Sequence, residues 1–304
     1  MLNPSGEQWE IRHGEQRAVV VEVGGGLREY QAGGADVLDG YAVDEMCQGG
    51  RGQNLIPWPN RLANGRYEFG DRSLQVPLNE RGMRNAIHGL VRWSNWRLAD
   101  RRPGEVVVEH VLHPQPGYPF TLGLQILYVL GDAGLAVTVT ATNLGREGLP
   151  YATGHHPYLT LGEAIIDTAE IELRASRAVA VDERKLPTGL VDVAGSRIDF
   201  RQRRALGSLQ LDVAFTELER DAQGRAWLTM ETSDGRRRVG VWMDPAYTHV
   251  MLFTGDTLQS ESRRRRGLAV EPMTCAPNAF ASRTGVIVLE PGASHKSEWG
   301  IGVS

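Results

Sequence analysis

Apolar and polar residues alternate strictly from Leu122 to Ala141, and this limits what the chain can fold into more than any other feature. Leu122, Leu124, Ile126, Tyr128 and Leu130 fall on one side of an extended segment. Gly131-Asp132-Ala133-Gly134 supplies a turn, and Leu135, Val137, Val139 and Ala141 fall on one side of the next segment. Side chains of a strand point alternately to opposite faces, so a period of two with one apolar face marks a half-buried antiparallel hairpin. Similar short runs recur at Arg17–Val23, Arg66–Val76, Glu105–Leu112, Ile171–Leu173, Ala226–Glu231, Arg238–Met243, His249–Thr254 and Val286–Glu290. Gly24-Gly25-Gly26, Gly70-Asp71 and Ser233-Asp234-Gly235 punctuate them with turns. Helical periodicity is scarce, and Arg201–Gly207 is the one stretch read as a short helix. Many short strands with glycine turns predict an all-β fold of antiparallel sheets, packed as a sandwich or barrel. No linker, composition break or repeat divides the 304 residues, so residues 1–304 are expected to form a single domain.

Charge narrows the partners. Against 33 basic side chains stand 37 acidic ones, for a net charge of −4. That balance argues against a nucleic-acid or membrane surface as partner and favours a small, weakly charged ligand. The two cysteines, Cys47 and Cys275, imply no disulfide framework. The opening residues lack a signal pattern, and no apolar run approaches the ~18 residues of a membrane span. A cytoplasmic protein, monomeric or weakly dimeric, is expected.

Polar residues gather in four places. Leu268-Ala269-Val270 reads as a buried strand with Glu271 at its end, and Pro272 is expected to take the chain out of regular pairing. A carboxylate on so stiff a support suits a general base, although a solvated strand-end charge is the plainer alternative. Cys275, in the same loop, has nothing nearby arranged to deprotonate it. Asn54–Gly65 carries two prolines around Trp58 and then Asn60-Arg61, whose directed donors suit hydroxyl or carboxylate recognition or simply bridge loops. His88, in Asn85–Gly89, reads equally as a satisfied core imidazole; Trp93 and Trp96 follow it, with Trp93 open to either a core or a stacking role. The last cluster is Gly154-His155-His156-Pro157-Tyr158. Neighbouring histidines on a strand face opposite ways, so only one reaches a given pocket, which weakens a metal reading and leaves a general acid open.

Taken in order, PWPNRLANGRY, NAIHGLVRW, GHHPYL and LAVEPMTCAPNAF resemble the aldose 1-epimerases, or galactose mutarotases, from about Gly49 to Gly292. The resemblance implies a large antiparallel β-sandwich of the galactose-mutarotase type. It also implies an isomerase acting on a monosaccharide without cofactor or metal. By this likeness Glu271 is the catalytic base and His156 the acid, while Asn60, Arg61, His88 and Asp212 hold the sugar hydroxyls. His155 stands one position from the matched acid. Met251 stands where many relatives carry a polar residue such as glutamine, which bears on sugar preference.

Exchanging α and β anomers breaks the bond between C1 and the ring oxygen. The C1 hydroxyl must lose a proton as the ring oxygen gains one, so a base and an acid must act together. An imidazole titrates near 6.5, and a neighbouring carboxylate such as Asp212 is expected to raise it and keep His156 charged. Three rivals remain: a hexose-6-phosphate 1-epimerase using Arg263–Arg266 for the phosphate, a non-catalytic sugar-binding protein, and a metal-dependent isomerase using His88, His155, His156 and Glu271.

Overall fold

The computed structural model describes residues 2–303. Leu122–Gly131 and Gly134–Asn143 form the expected hairpin, in unbroken register around Asp132-Ala133, with every alternating apolar residue buried. The pair lies inside a nine-stranded antiparallel sheet, between Glu105–Leu112 and the long strand Ser294–Val303. Gln8–His13, Gln16–Val21, Leu27–Ala32 and Ala35–Asp36 make a separate four-stranded sheet. Arg66–Val76 divides into Arg66–Phe69 and Arg72–Gln75 about the Gly70-Asp71 turn.

The second large sheet has eight strands: β1 (Asn54–Leu55), β2 (Gly154–His155), β3 (Tyr158–Leu159), β4 (Ala175–Val181), β5 (Pro187–Asp192), β6 (Asp212–Leu218), β7 (His249–Phe253) and β8 (Leu268–Met273). Their order across the sheet is β5-β4-β6-β7-β8-β2-β1, with β3 also pairing β8. The two sheets pack over one continuous core. His155 stacks on Trp299 with ring centroids 4.9 Å apart, and the Ser297 hydroxyl donates to Tyr247 Oη at 3.1 Å. This is the all-β antiparallel architecture that the alternation calls for.

Register sorts the residues of this second sheet. Ala214, Met251 and Glu271 lie side by side across β6, β7 and β8, and Val213, Leu252 and Val270 form the next row. Leu252 and Val270 enter the main core, so the row holding Glu271 faces the opposite way. On that outer face Val179, Ala214, Met251 and Met273 form a small apolar floor beside Glu271.

Two expectations need correction. Pro272 does not end the pairing: β8 continues to Met273, with Glu271 opposite Met251 and Pro272 opposite Val250. Val270 donates its N–H to Pro157 O, and the residue two positions on faces the same way. The donor that Pro272 lacks would therefore point at the break between β2 and β3, where no ladder bond is lost. Glu271 is thus mid-strand and buried, not a solvated strand end. Nor does Arg201–Gly207 form a helix: Arg204–Ala205 is a short edge strand paired with Glu170 and Ile171. The run Arg201-Gln202-Arg203-Arg204 offers no apolar stripe for a helix to bury. Among the described residues the only α-helix is the single turn Ala279–Ser282.

Candidate active site

The adjacent histidines separate as strand geometry requires. His155 turns into the space between the sheets, with Nδ1 2.9 Å from Asn54 Oδ1 and Nε2 3.0 Å from the Tyr247 hydroxyl. His156 turns outward, and its Nε2 lies 3.2 Å from Glu271 Oε1. Its ring stacks on Tyr158 at 5.0 Å and 13°. Gly50, at φ +79°, presses against it; a Cβ there would sit 2.7 Å from His156 Cδ2. The ring is therefore held from several sides. Among the described residues, neither Glu271 Oε2 nor His156 Nδ1 has a partner, though both atoms are buried. Buried polar atoms are seldom left so, and they tend to mark functional positions.

The two loops from which polar residues were expected converge here. Asn60 and His88 hold each other in a reciprocal clasp: the Asn60 N–H donates to His88 Nδ1 at 3.3 Å, and the His88 N–H to Asn60 O at 3.0 Å. Both backbones are in the left-handed region, at φ +55° and +64°, which non-glycine residues adopt only when the surroundings impose it. With Nδ1 accepting, the His88 ring proton sits on Nε2, and His88 is a neutral donor. Its ring meets the edge of His156 at 5.3 Å. The Asn60 side-chain oxygen is taken by the Arg61 N–H at 2.9 Å, so this side chain shapes the loop.

Arg61 donates through Nε to both oxygens of Glu80, at 3.0 and 3.1 Å, and its Nη1 lies 3.8 Å from Asp212 Oδ1. Lys185 Nζ lies 3.5 Å from the other Asp212 oxygen. Glu271, His156, Asn60, Arg61, His88 and Asp212, read from the sequence, are thus gathered in one region. Glu80 and Lys185 were missed; both sit in polar loops with no local pattern, and only the folded chain brings them to Arg61 and Asp212.

Burial governs the titrations. It pushes His156 down to about 3 and lifts Glu271 well above the carboxylate range; Asp212 adds to the Glu271 rise and Arg61 opposes it. The expectation that Asp212 would keep His156 charged is corrected. Asp212 acts on Glu271, and removal from water dominates the imidazole. At rest the pair favours its uncharged form, a protonated carboxyl facing a neutral imidazole. Burial first, then repulsion from His156 when that ring is protonated and from the Arg92 and Arg61 guanidiniums, holds His88 well below its ordinary value.

Other polar candidates are committed elsewhere. Arg263 pairs with Asp39 and Glu45, Arg264 with Glu261, Arg265 with Asp167 and Asp256, and Arg266 lies 3.7 Å from Asp39. Arg263 and Arg265 tie this loop to others and Arg264 bonds within it, so each of the four has an acidic neighbour rather than standing free for a phosphate. Burial pushes the Cys275 thiol up to about 12, which removes it as a nucleophile. Trp96 is core, whereas Trp93 is 51% exposed.

Comparison with known proteins adds three findings. The family model described as aldose 1-epimerase matches residues 7–302. The Escherichia coli K12 protein YihR, itself described as uncharacterized, is 34% identical over 97% of this chain and 92% of its own length; mouse galactose mutarotase is 27% identical over 60% of this chain and 55% of its own. Among solved structures, a Caenorhabditis elegans GalM/aldose epimerase homologue superposes with a TM-score of 0.87 over 98% of both chains, at 19% identity.

Proposed function

The chain belongs to the aldose 1-epimerase family, and we propose that it interconverts the α and β anomers of an aldose by acid/base ring opening and closure. The observation that carries this reading is the 3.2 Å approach of two fully buried groups, His156 Nε2 and Glu271 Oε1. Together they hold one proton. With that proton on His156, the Glu271 carboxylate accepts the C1 hydroxyl proton while the imidazolium protonates the ring oxygen. Ring opening leaves a protonated Glu271 and a neutral His156, the form that burial favours. The aldehyde turns about C1–C2 and closes on its other face with the transfers reversed. Arg61, Asp212 and the Nε2–H of His88 supply directed contacts to the hydroxyls, and positioning of this kind lowers the barrier further.

One geometric feature favours a second reading. Ligand atoms of His88, His156 and Glu271 lie within 4.8 Å of one another, a spacing that suits a metal ion. The His88 tautomer speaks against it, since Nδ1 accepts the Asn60 N–H and Nε2 carries the proton. A purely binding protein would need no paired acid and base. The deciding experiment follows the optical rotation of pure α-glucose and α-galactose with and without EDTA. Acceleration over buffer, unchanged by EDTA, is expected. Equilibration of several free hexoses and pentoses at the buffer rate would refute the reading for neutral sugars, and dependence on metal would replace the mechanism.

A further inference from the structure

The proton transfer makes no use of a buried ion pair that stands behind its acid. The Tyr158 ring that stacks on His156 also carries the Arg51 guanidinium, 4.4 Å from its centroid, and both residues are buried. Arg51 is gripped by all three of its nitrogens. Asp39 Oδ2 accepts from Nε at 3.1 Å and from Nη2 at 2.9 Å, Gln48 O from Nη1 at 3.1 Å, and Arg263 O from Nη2 at 3.4 Å. Asp39 in turn donates its own N–H to Tyr158 O at 2.9 Å. The Tyr158 hydroxyl donates to Gly49 O at 2.7 Å, one residue before the glycine that presses on the imidazole. The main chain of His156 joins the same loop: its N–H donates to Gln53 O at 3.1 Å, and its O accepts from the Gly52 N–H at 2.9 Å.

An imidazole is ordinarily aimed by the hydrogen bond at its second nitrogen. His156 has no such bond among the described residues, since Nδ1 is buried without a partner. Packing must therefore set the angle of the ring. The packed surfaces are Tyr158 against its face, the Gly50 turn at Cδ2 and the edge-on ring of His88. The first two are held through Arg51. A buried ion pair adds little net stability over apolar groups of the same size, because desolvation offsets the attraction. What a guanidinium supplies and an apolar side chain cannot is a flat fork with fixed donor directions. In the ring-opening reading, on which this step rests, Nε2 must serve both Glu271 and the ring oxygen, and the rate falls steeply when such a group is displaced. We propose that Arg51, clamped by Asp39, is a positioning residue: it fixes Tyr158 and the Gly49-Gly50 turn, and through them it aims the His156 ring.

Arg51→Met keeps length and apolar packing but removes the fork, and Asp39 retains Arg263 and Arg266 as neighbours. Arg263→Met is the control, because it takes a cation from Asp39 without removing a contact of Tyr158. Each full-length variant is checked by circular dichroism and assayed, well below its melting temperature, on the aldose that wild type equilibrates fastest. Arg51→Met should lower kcat roughly 10- to 100-fold with KM within about twofold, as a misaimed group does and a lost substrate contact does not. Arg51→Lys keeps the charge without the fork; it should recover part of the rate, and it serves in place of Arg51→Met if that variant does not fold. Arg263→Met should match wild type. Histidine labelled with carbon-13 in the ring gives a readout independent of turnover. The His156 resonance, assigned by its loss in His156→Asn, carries the ring-current shift of Tyr158; it should move in both Arg51 variants and stay in Arg263→Met. An unmoved resonance, equal kcat losses in Arg51→Met and Arg263→Met, or a loss confined to KM would overturn the proposal. If wild type accelerates no free aldose, the ring-opening reading fails by itself, and the His156 resonance still decides whether Arg51 aims the ring.

Discussion

Replacing Glu271 by Gln keeps shape and burial but removes the proton acceptor, and replacing His156 by Asn removes the donor. Each should lower kcat by ~10²–10⁴, and the double variant should lose far less than the product of the two, since the residues act as one unit. His155→Asn separates the neighbours. Its ring lies between the sheets against Trp299, so this change should lower the melting temperature and leave kcat nearly untouched. A dead His155→Asn beside an active His156→Asn would contradict the assignment. At this scale the sequence was informative about which residue types gather, because each motif brings its own rigid local chemistry. It was uninformative about protonation. No pattern in Gly154–Tyr158 reveals that burial, rather than a neighbouring charge, sets the state of His156.

Strands whose alternation is clean were legible; the strand that ties the large sheet together was not. Ser294–Val303 lies between Gly134–Asn143 and Arg238–Met243, yet its first half is polar and its second half carries Gly300 and Gly302. Glycine is a poor strand former, and here it answers to close packing. A Cβ on Gly300 would lie 2.3 Å from Leu135 O and 2.6 Å from the Trp242 ring. Gly300→Ala should therefore destabilise the protein by about 1–3 kcal/mol through overpacking, read as a lower urea midpoint with unchanged slope. An unshifted midpoint would mean the strands slide apart easily. The β8 strand shows the converse case. Its proline looked like a terminator, but the break between β2 and β3 absorbs the missing donor, and that neighbour is invisible from Pro272 alone.

For the molecule as a whole, buried imidazoles set the response to acid. His155 is pushed down to about 3 and His249 to about 4, both by burial, against an ordinary value of 6.5. Below 6.5 the unfolded chain takes up protons that the folded one refuses, so stability falls as pH falls and levels off below about 3–4. Each such group contributes about 1.4 kcal/mol per pH unit within that window. Glu271, shifted upward, works the other way above 4.5, losing stability as pH rises, but it is one group against several. The melting temperature should drop between pH 7 and 5, and less steeply in His155→Asn; parallel slopes would exclude His155 as a source. One consequence follows from how the site is put together. Asn60, Arg61, His88, His156, Asp212 and Glu271 come from widely separated stretches, held by a clasp between two loops and a row across three strands. No fragment contains it. On the proposed ring-opening reaction, turnover during refolding should return only with the last cooperative phase, and a simple polarimeter would then gauge the fully native population.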